Sequence, residues 1–599
     1  MQEYALLMLR VYLQLCHKWW KWVPSMINLD INQRTILEGR YLRRDEDGEV
    51  VETPEGMFRR VAAAVAEAET RFGADAKTAG AWAERFYALM AGLEFLPNSP
   101  TLINAGREAG QLSACFVLPL EDSIEAIFET LKNTALIHKS GGGTGFDFSR
   151  LRPHGDPVRS TGGVASGPVS FMRIFNAATE EVKQGGVRRG ANMGVLRADH
   201  PDVFEFITCK EEEGAFRNFN ISVAATDAFF EALERDGELP LVFHDKVYRT
   251  IPARQVFEAA VTHAHANGEP GVLFLDAINR GNPTPALGAI EATNPCGEQP
   301  LLPHESCNLG SINLVKMVSS KEIDWDRLRR VVREAIRFLD NVVEINSFPV
   351  PEIAAATRRT RKVGLGVMGW ADMLYRLGIP YDSTAALGLA EELVSFIRDE
   401  ARAASRELAA QRGTFPAWRS SVYYPDLPLR NASLITIAPT GSISGIAGVS
   451  SGIEPVFALS YTRTIFDGKR LLVIDKAFLE YLDTSVPEVQ KQGVLSTVYL
   501  TGGLAGVETL PPESKKVFKT ALEISPEWHL KMQAAFQKYT DNAVSKTINL
   551  PRTAAPAEVA EIFLQAHALG LKGLTVYRAG SREEQPLTPP ANCRPCLFE

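Results

Sequence analysis

The sequence predicts an α/β fold built on parallel strands, preceded by a small helical region. Two observations predict it. From about residue 98 to residue 582 short apolar runs alternate with helical segments, and no linker or low-complexity stretch interrupts them; strands joined by crossover helices leave that pattern. The length of 599 residues fits one large barrel with a small companion domain as well as it fits several domains. At 45% hydrophobic and 23% charged residues, the composition is that of a soluble globular chain.

Residues 1–25 read as an N-terminal extension. Tyr4 to Val23 is apolar but carries Arg10, His17, Lys18 and Lys21, which disfavours a membrane span. It has no basic n-region or small-residue cleavage site, which disfavours a signal peptide. A cytoplasmic enzyme, with no membrane partner, is expected. Residues 26–97 read as the helical region. Met57 to Val61 and Ala81 to Met90 are periodic, and Gly92 and Pro97-Asn98-Ser99-Pro100 end the helices. Strands are expected at Cys115 to Leu118, Leu434 to Ala438 and Gly573 to Tyr577. A helix is expected from Ser383, its N-cap, to Gly413 past its end. Gly364 to Gly369 spell G-x-G-x-x-G, but Asp382 lies beside a helix N-cap rather than at the end of a second strand. The motif therefore reads as close backbone packing, not as a dinucleotide site. After Arg582 the run Glu583-Glu584-Gln585-Pro586 and the pair Pro589-Pro590 read as a mobile tail over 583–599. The net charge of −8 leaves no basic footprint for nucleic acid.

Seven cysteines, odd in number and sparse, do not make a secreted disulfide framework. Cys16 and Cys209 have no motif around them and read as small buried hydrophobes. Cys296 sits in Asn294-Pro295-Cys296-Gly297-Glu298, where Pro and Gly force a tight turn and carry the thiol to a loop tip. On an extended loop, Asn294 and Glu298 would share a face with it. A thiol flanked by an amide and a carboxylate suits hydrogen-atom and proton transfer. Cys307 falls where a following strand begins, and Cys115 at the entry to an earlier one; their spacing does not bring them together. Cys593-Arg594-Pro595-Cys596 is a C-x-x-C pair on the tail. Such a pair can attack an internal disulfide and exchange with an external dithiol, and Arg594 favours the thiolate. No second pair or nearby His completes a zinc set. The turn Ala438-Pro439-Thr440-Gly441-Ser442-Ile443-Ser444 exposes backbone N–H groups that can bind phosphate.

With Gly141 to Arg152 and Gln184 to Asn192, these motifs resemble the catalytic chains of ribonucleotide reductases, in order, from about Asn28 to Arg582. The resemblance implies a ten-stranded α/β barrel of two parallel five-stranded halves with a central finger loop, here over 98–582. It implies a thiyl radical at Cys296 that takes the ribose 3′-hydrogen, with Glu298 as general base and Asn294 holding the substrate hydroxyls. Cys115 and Cys307 would protonate the departing 2′-hydroxyl and supply two electrons, ending as a disulfide. Cys593 and Cys596 would reduce that disulfide with a thioredoxin- or glutaredoxin-like partner. Substrate contacts fall on Ser99, Ala114, Pro439, Thr440, Gly441 and Ser442. A deoxynucleoside triphosphate or ATP effector, bound at a homodimer interface, would meet Asp122, Ser123, Arg152, Gln184 and Arg188. An activity-regulating ATP-cone is not expected in so short an N-terminal extension. No metal site is expected.

The family makes its radical in three ways. In the oxygen-dependent class paired tyrosines near the C-terminus relay it, and Val576 takes one of those places in Leu574-Thr575-Val576-Tyr577-Arg578. The anaerobic class needs a glycyl-radical motif that Arg578-Ala579-Gly580-Ser581 does not match. The adenosylcobalamin (vitamin B12) class remains, and Gln184 to Asn192 and Thr575 to Arg582 also resemble it. In that class homolysis of the cobalt–carbon bond oxidises the residue matching Cys296. No Asp-x-His-x-x-Gly is present, so no histidine is expected to replace the cobalamin's own base. Diphosphate substrates are expected. The rival readings are an oxygen-dependent subunit needing a separate radical-generating subunit, and an inactive nucleotide-binding regulator. The five-cysteine set argues against the regulator.

Overall fold

In the computed structural model the described residues are 27–158, 162–184, 188–465, 468–582 and 587–588. The expected N-terminal extension, Cys16, and the tail cysteines Cys593 and Cys596 lie outside them. The central sheet is ten-stranded. Its strands are β1 (Phe95–Pro97), β2 (Cys115–Val117), β3 (Gly143–Asp147), β4 (Asn192–Arg197), β5 (Phe219–Ala225), β6 (Gly271–Phe274), β7 (Ser306–Asn313), β8 (Val363–Met368), β9 (Thr547–Leu550) and β10 (Gly573–Arg578).

Strands β2 to β6 pair in chain order, all parallel. Strands β7 and β8 are parallel, as are β9 and β10. The segment 433–437 links these two pairs through the parallel bridges Leu365↔Ile435 and Ile437↔Val544. The two parallel sets then meet antiparallel at two places, β2 against β7 and β6 against β10. The wall closes into a barrel of two five-membered parallel halves, as the sequence implied. Strand β1 pairs with β7 outside that ring. Parallel strands covered on both faces are apolar throughout, and every residue of β6 and β8 is buried.

The helices form where the sequence places them. Thr384–Arg412 starts at Ser383, whose Oγ accepts from the Ala386 N–H at 3.1 Å, and ends at Gly413, whose φ is +83°. In the N-terminal region Pro54–Ala66 and Ala76–Ala91 are helical and Gly92 caps the second. They share a core with the helix Trp325–Ile345, where Phe338 meets Phe86 and Phe95 edge-on. Glu69, 2% exposed, pairs with Arg337 at 2.7 Å and Arg412 at 2.8 Å. Removing one member of such a buried ion network strands the others, so the helical region is locked to the barrel's outer helices. Among the described residues no helix is long and apolar enough to cross a membrane.

A hairpin runs through the barrel interior. Its arms, Ala292–Thr293 and Pro300–Leu301, pair with each other, and Ala292 and Leu301 pack with Val117, Val195 and Leu309 of the wall. Glycines make the room. A Cβ on Gly145 of β3 would overlap the Thr293 carbonyl oxygen, and one on Gly143 would lie 2.9 Å from the Pro295 ring. On β8, a Cβ on Gly366 would overlap the Thr436 carbonyl oxygen, and one on Gly364 would lie 2.7 Å from Gln299 Nε2. The G-x-G-x-x-G motif is thus close packing, as read from its context, with Gly366 against backbone and Gly364 and Gly369 against side chains.

Candidate active site

Cys115 and Cys307 are direct partners in the antiparallel pairing of β2 with β7. The fold joins two thiols that sequence spacing left apart. Both are buried and no disulfide joins them. From the interior hairpin, Asn294 Nδ2 donates to Cys115 Sγ at 3.1 Å, and Cys115 Sγ lies 3.9 Å from Glu298 Oε1. Burial pushes the Glu298 carboxyl up to about 7, despite hydrogen bonds that act the other way. Its Oε2 is buried with no hydrogen-bond partner among the described residues, so one lone-pair face is left for a substrate hydroxyl. Burial raises the Cys115 thiol well above its ordinary value, and Glu298, Cys307 and Cys296 raise it further.

The turn corrects one expectation. Asn294 and Glu298 do not share a face by strand alternation, because the loop is not extended. The Gly297 N–H donates to the Asn294 carbonyl at 3.1 Å and Gly297 has φ +80°, which closes a tight turn. Asn294 and Glu298 flank the turn and reach Cys115, while Cys296 rides at its tip. The tip is anchored from both half-barrels. Asn220 Nδ2 of β5 donates to the Pro295 carbonyl at 2.8 Å, and Thr436 Oγ1 and the Ala543 N–H donate to the Glu298 carbonyl at 2.8 and 3.0 Å.

Cys296 is exposed, and it lines a cavity of about 810 Å³. That volume lies at the upper end of ligand sites, roughly 300–1,000 Å³. The walls are mostly apolar, with Leu273, Phe457 and Val473, and glycines 271 and 573 flatten one side. A large organic group with both apolar and polar parts fits such a space, since Glu454, Lys546 and Arg582 also line it. Shielding of Cys296 from water falls to whatever fills it.

Residues 438–444 turn into a short helix. Thr440 adopts φ +56° ahead of the short helix Gly441–Ala447, its Oγ1 accepts from the Gly452 N–H at 2.8 Å, and Pro439 lines the cavity. Ser99 accompanies it through two adjacent residues absent from the sequence reading. Tyr41 Oη hydrogen-bonds Ser99 Oγ at 2.8 Å, and Arg40 Nη1 donates to Ser442 Oγ at 3.4 Å. No local signal marks Arg40, whose partner is 402 positions away. Ala114 is half-buried, its N–H on the Cys307 carbonyl and its carbonyl on the Gly143 N–H.

The effector candidates gather elsewhere. Arg152 Nε pairs with Asp122 Oδ2 at 2.7 Å, and Ser123 Oγ caps the helix Ile124–Lys139. Gln184 and Arg188 are backbone partners in a small hairpin, residues 185–187 lying outside the described ones. Asp122, Ser123 and Arg152 do not line the cavity. Cys209 is half-buried and packs against the outer core, its thiol pushed up to about 12 by burial.

A thiol at a turn tip beside a cavity, a buried pair of thiols and a buried carboxyl of raised pKa inside a ten-stranded barrel are the equipment of a redox enzyme. The family model for the ribonucleotide reductase barrel domain matches residues 113–427 and 424–577, and that for the ribonucleotide reductase all-alpha domain matches 27–110. A vitamin B12-dependent ribonucleoside-diphosphate reductase of Thermoplasma acidophilum is 48% identical over 94% of this chain and 81% of its own length. One from Mycobacterium tuberculosis is 48% identical over 94% and 82%. The solved class Id ribonucleotide reductase alpha subunit of Actinobacillus ureae superposes with a TM-score of 0.75 at 25% identity, over 92% of this chain and 97% of that one. The chain belongs to the ribonucleotide reductase family.

Proposed function

We propose that this chain reduces ribonucleotides, as diphosphates, to 2′-deoxyribonucleotides by thiyl-radical chemistry started by adenosylcobalamin. One observation carries the reading: the fold sets Cys115 opposite Cys307 and brings Asn294 and Glu298 onto that couple from the turn whose tip is Cys296. The relatives named vitamin B12-dependent support the radical source, as does residue 576, a buried valine where the oxygen-dependent class has a relay tyrosine.

When bound, adenosylcobalamin supplies the initiating radical. Phe457, Tyr461, Val473, Thr575 and Tyr577 line the cavity and would hold it. Cys296 then takes the ribose 3′-hydrogen, a reversible step because the bonds broken and formed are close in strength. Glu298, with a pKa near 7, accepts the 3′-hydroxyl proton. Asn294 holds the substrate hydroxyls. Cys115 and Cys307 protonate the departing 2′-hydroxyl and give two electrons, becoming a disulfide. Cys593 and Cys596 reduce it and exchange with a thioredoxin- or glutaredoxin-like dithiol. Ser99, Ala114 and Pro439 to Ser442 hold the substrate phosphates, with Arg40 beside Ser442.

The barrel over 98–582, the helical region 26–97, the extension 1–25 and the redox tail 583–599 form one cytoplasmic chain that works as a homodimer. Ile124, Phe128 and Leu136 on one helix and Ile174 on its neighbour are large apolar side chains left exposed, as a dimer face requires. A deoxynucleoside triphosphate or ATP effector binds there through Asp122, Ser123, Arg152, Gln184 and Arg188.

The decisive assay mixes the purified chain, a ribonucleoside diphosphate, adenosylcobalamin and a small dithiol, with no metal subunit. Deoxynucleotide formation is expected. Its absence, with activity appearing only when a radical-generating subunit is added, would replace the radical source. Cys593→Ser is expected to stop multiple turnover with thioredoxin while leaving a single turnover, measured by rapid quench.

A further inference from the structure

One ion pair in the cavity wall takes no part in the proposed steps. The Lys546 side chain is fully buried. Its Nζ meets three partners: Glu454 Oε2, His529 Nδ1 at 2.8 Å and the Thr547 carbonyl at 2.6 Å. All three accept. His529 Nε2 lies 3.1 Å from the Ala521 carbonyl, which can only accept, so Nε2 carries the ring proton and Nδ1 a bare lone pair. Three acceptors around one nitrogen use the three N–H groups of an ammonium. Burial lowers the Lys546 pKa, and the Glu454 charge opposes that shift. The second oxygen of Glu454, Oε1, accepts the Thr547 N–H at 2.7 Å. Both carboxylate oxygens are therefore held from behind.

The front of Glu454 is open. Its side chain is 24% exposed, and it lines the same cavity as Cys296. A carboxylate has about four lone-pair sites, and the two donors leave one on each oxygen for a group in the cavity. Two acceptors side by side suit two donors side by side, such as hydroxyls on adjacent carbons. An amide offers both its N–H groups from one nitrogen, diverging, so only one points squarely at a carboxylate oxygen.

We infer that Glu454 holds the vicinal ribose hydroxyls of the cofactor's adenosyl arm, with Lys546 pinning the carboxylate in place. This rests on the proposed radical source. Position agrees. Thr547 is four residues from Ala543, whose N–H donates to the Glu298 carbonyl at the foot of the Cys296 turn. Four residues span at most about 14 Å, so the carboxylate and the thiol tip hang from one short run of chain. The substrate's own hydroxyls go to Asn294 and Glu298 in the proposed function, which leaves Glu454 for a second ribose. Lys546 is a positioning residue, acting through Glu454.

The test is equilibrium dialysis in the dark, with the full chain and no substrate or reductant. The probes are adenosylcobalamin, its 2′,3′-dideoxyadenosyl analogue, and hydroxocobalamin, which has no adenosyl arm. Loss of hydrogen bonds to a charged acceptor is expected to weaken the dideoxy analogue by about 10- to 100-fold against adenosylcobalamin. Glu454→Gln is expected to weaken adenosylcobalamin by about tenfold or more and to leave the other two unchanged. Glu454→Gln with Lys546→Met removes both charges while keeping their bulk, and is expected to show the same pattern. Equal binding of adenosylcobalamin and the dideoxy analogue by the unaltered chain overturns the inference, with no variant required to fold. A folded variant that keeps the full preference for adenosylcobalamin also overturns it. So does one that weakens hydroxocobalamin equally, which would place Glu454 on the amides of the corrin ring. If no corrinoid binds the unaltered chain, the proposed radical source fails and this inference with it.

Discussion

The barrel has two antiparallel seams, and they are built for different work. At the first, β2 against β7, the partners are Cys115 and Cys307, both buried, with Asn294, Glu298 and the Lys362–Glu305 pair around them. At the second, β6 against β10, the partners are Val272 with Leu574 and Leu273 with Gly573, and Gly271, Leu273, Gly573 and Leu574 line the open cavity with Cys296. Under the proposed function, two-electron chemistry belongs to the closed seam and radical entry to the open one. The turn carrying Cys296 stands between them. The difference teaches that the fold keeps the buried cysteine pair apart from the open cavity, the separation that a radical source in that cavity would require.

The largest test of this division is Cys296→Ser. Deoxynucleotide formation is expected to fall below detection while nucleotide affinity, measured by calorimetry, is unchanged. Activity near that of the unaltered chain would remove Cys296 as the link between the seams. Next is Glu298→Gln, expected to lower kcat by about 10²–10⁴-fold. In the unaltered chain kcat should rise with pH through about 7, as the buried carboxyl gives up its proton; a flat profile would count against Glu298 as base. Stability carries the opposite sign. Between the ordinary value of 4.5 and about 7 the folded state holds a proton that the unfolded state has lost. Folding therefore weakens as pH rises through that window, by about 3 kcal/mol. Chemical denaturation of Glu298→Gln across the same range should show that slope removed.

A paired substitution sharpens the comparison at smaller scale. Gly145→Ala puts a methyl into the Thr293 carbonyl, backbone that cannot move aside, and overpacking of that kind costs about 1–3 kcal/mol. Shifting the turn by about 1 Å is expected to lower kcat by about 10²-fold. Gly573→Ala at the open seam meets the Leu273 side-chain tip at 2.9 Å, which can shift, and the Val272 carbonyl oxygen at 3.1 Å, which must give by only a few tenths of an ångström, and is expected to cost about 1 kcal/mol. Melting curves and single-turnover rates check both. Equal losses at the two glycines would erase the contrast between the seams.

Features with local causes were legible in the sequence. The helix from Ser383 to Gly413 carries its own cap and terminator, and the glycines of β8 declared close packing through the absence of a second strand's acid. Features made by long-range closure were not. Cys115 meets Cys307 because β2 and β7 are neighbours in the ring, and strand order is written in no short window. Arg40 reaches Ser442 across 402 positions. The expected alignment of Asn294, Cys296 and Glu298 failed for a local reason, the left-handed Gly297, which replaces alternation by a turn.

Loops are ordinarily the most variable and mobile parts of a protein. The one carrying Cys296 behaves as a crossbeam instead, its Pro295 end tied to one half-barrel through Asn220 and its Glu298 end to the other through Thr436 and Ala543. The reach of the sulfur is therefore set by the spacing of the two walls rather than by the stiffness of the loop. Any hinge movement that parts the halves draws the reacting atom out of range, which makes the whole architecture a gauge for one hydrogen transfer.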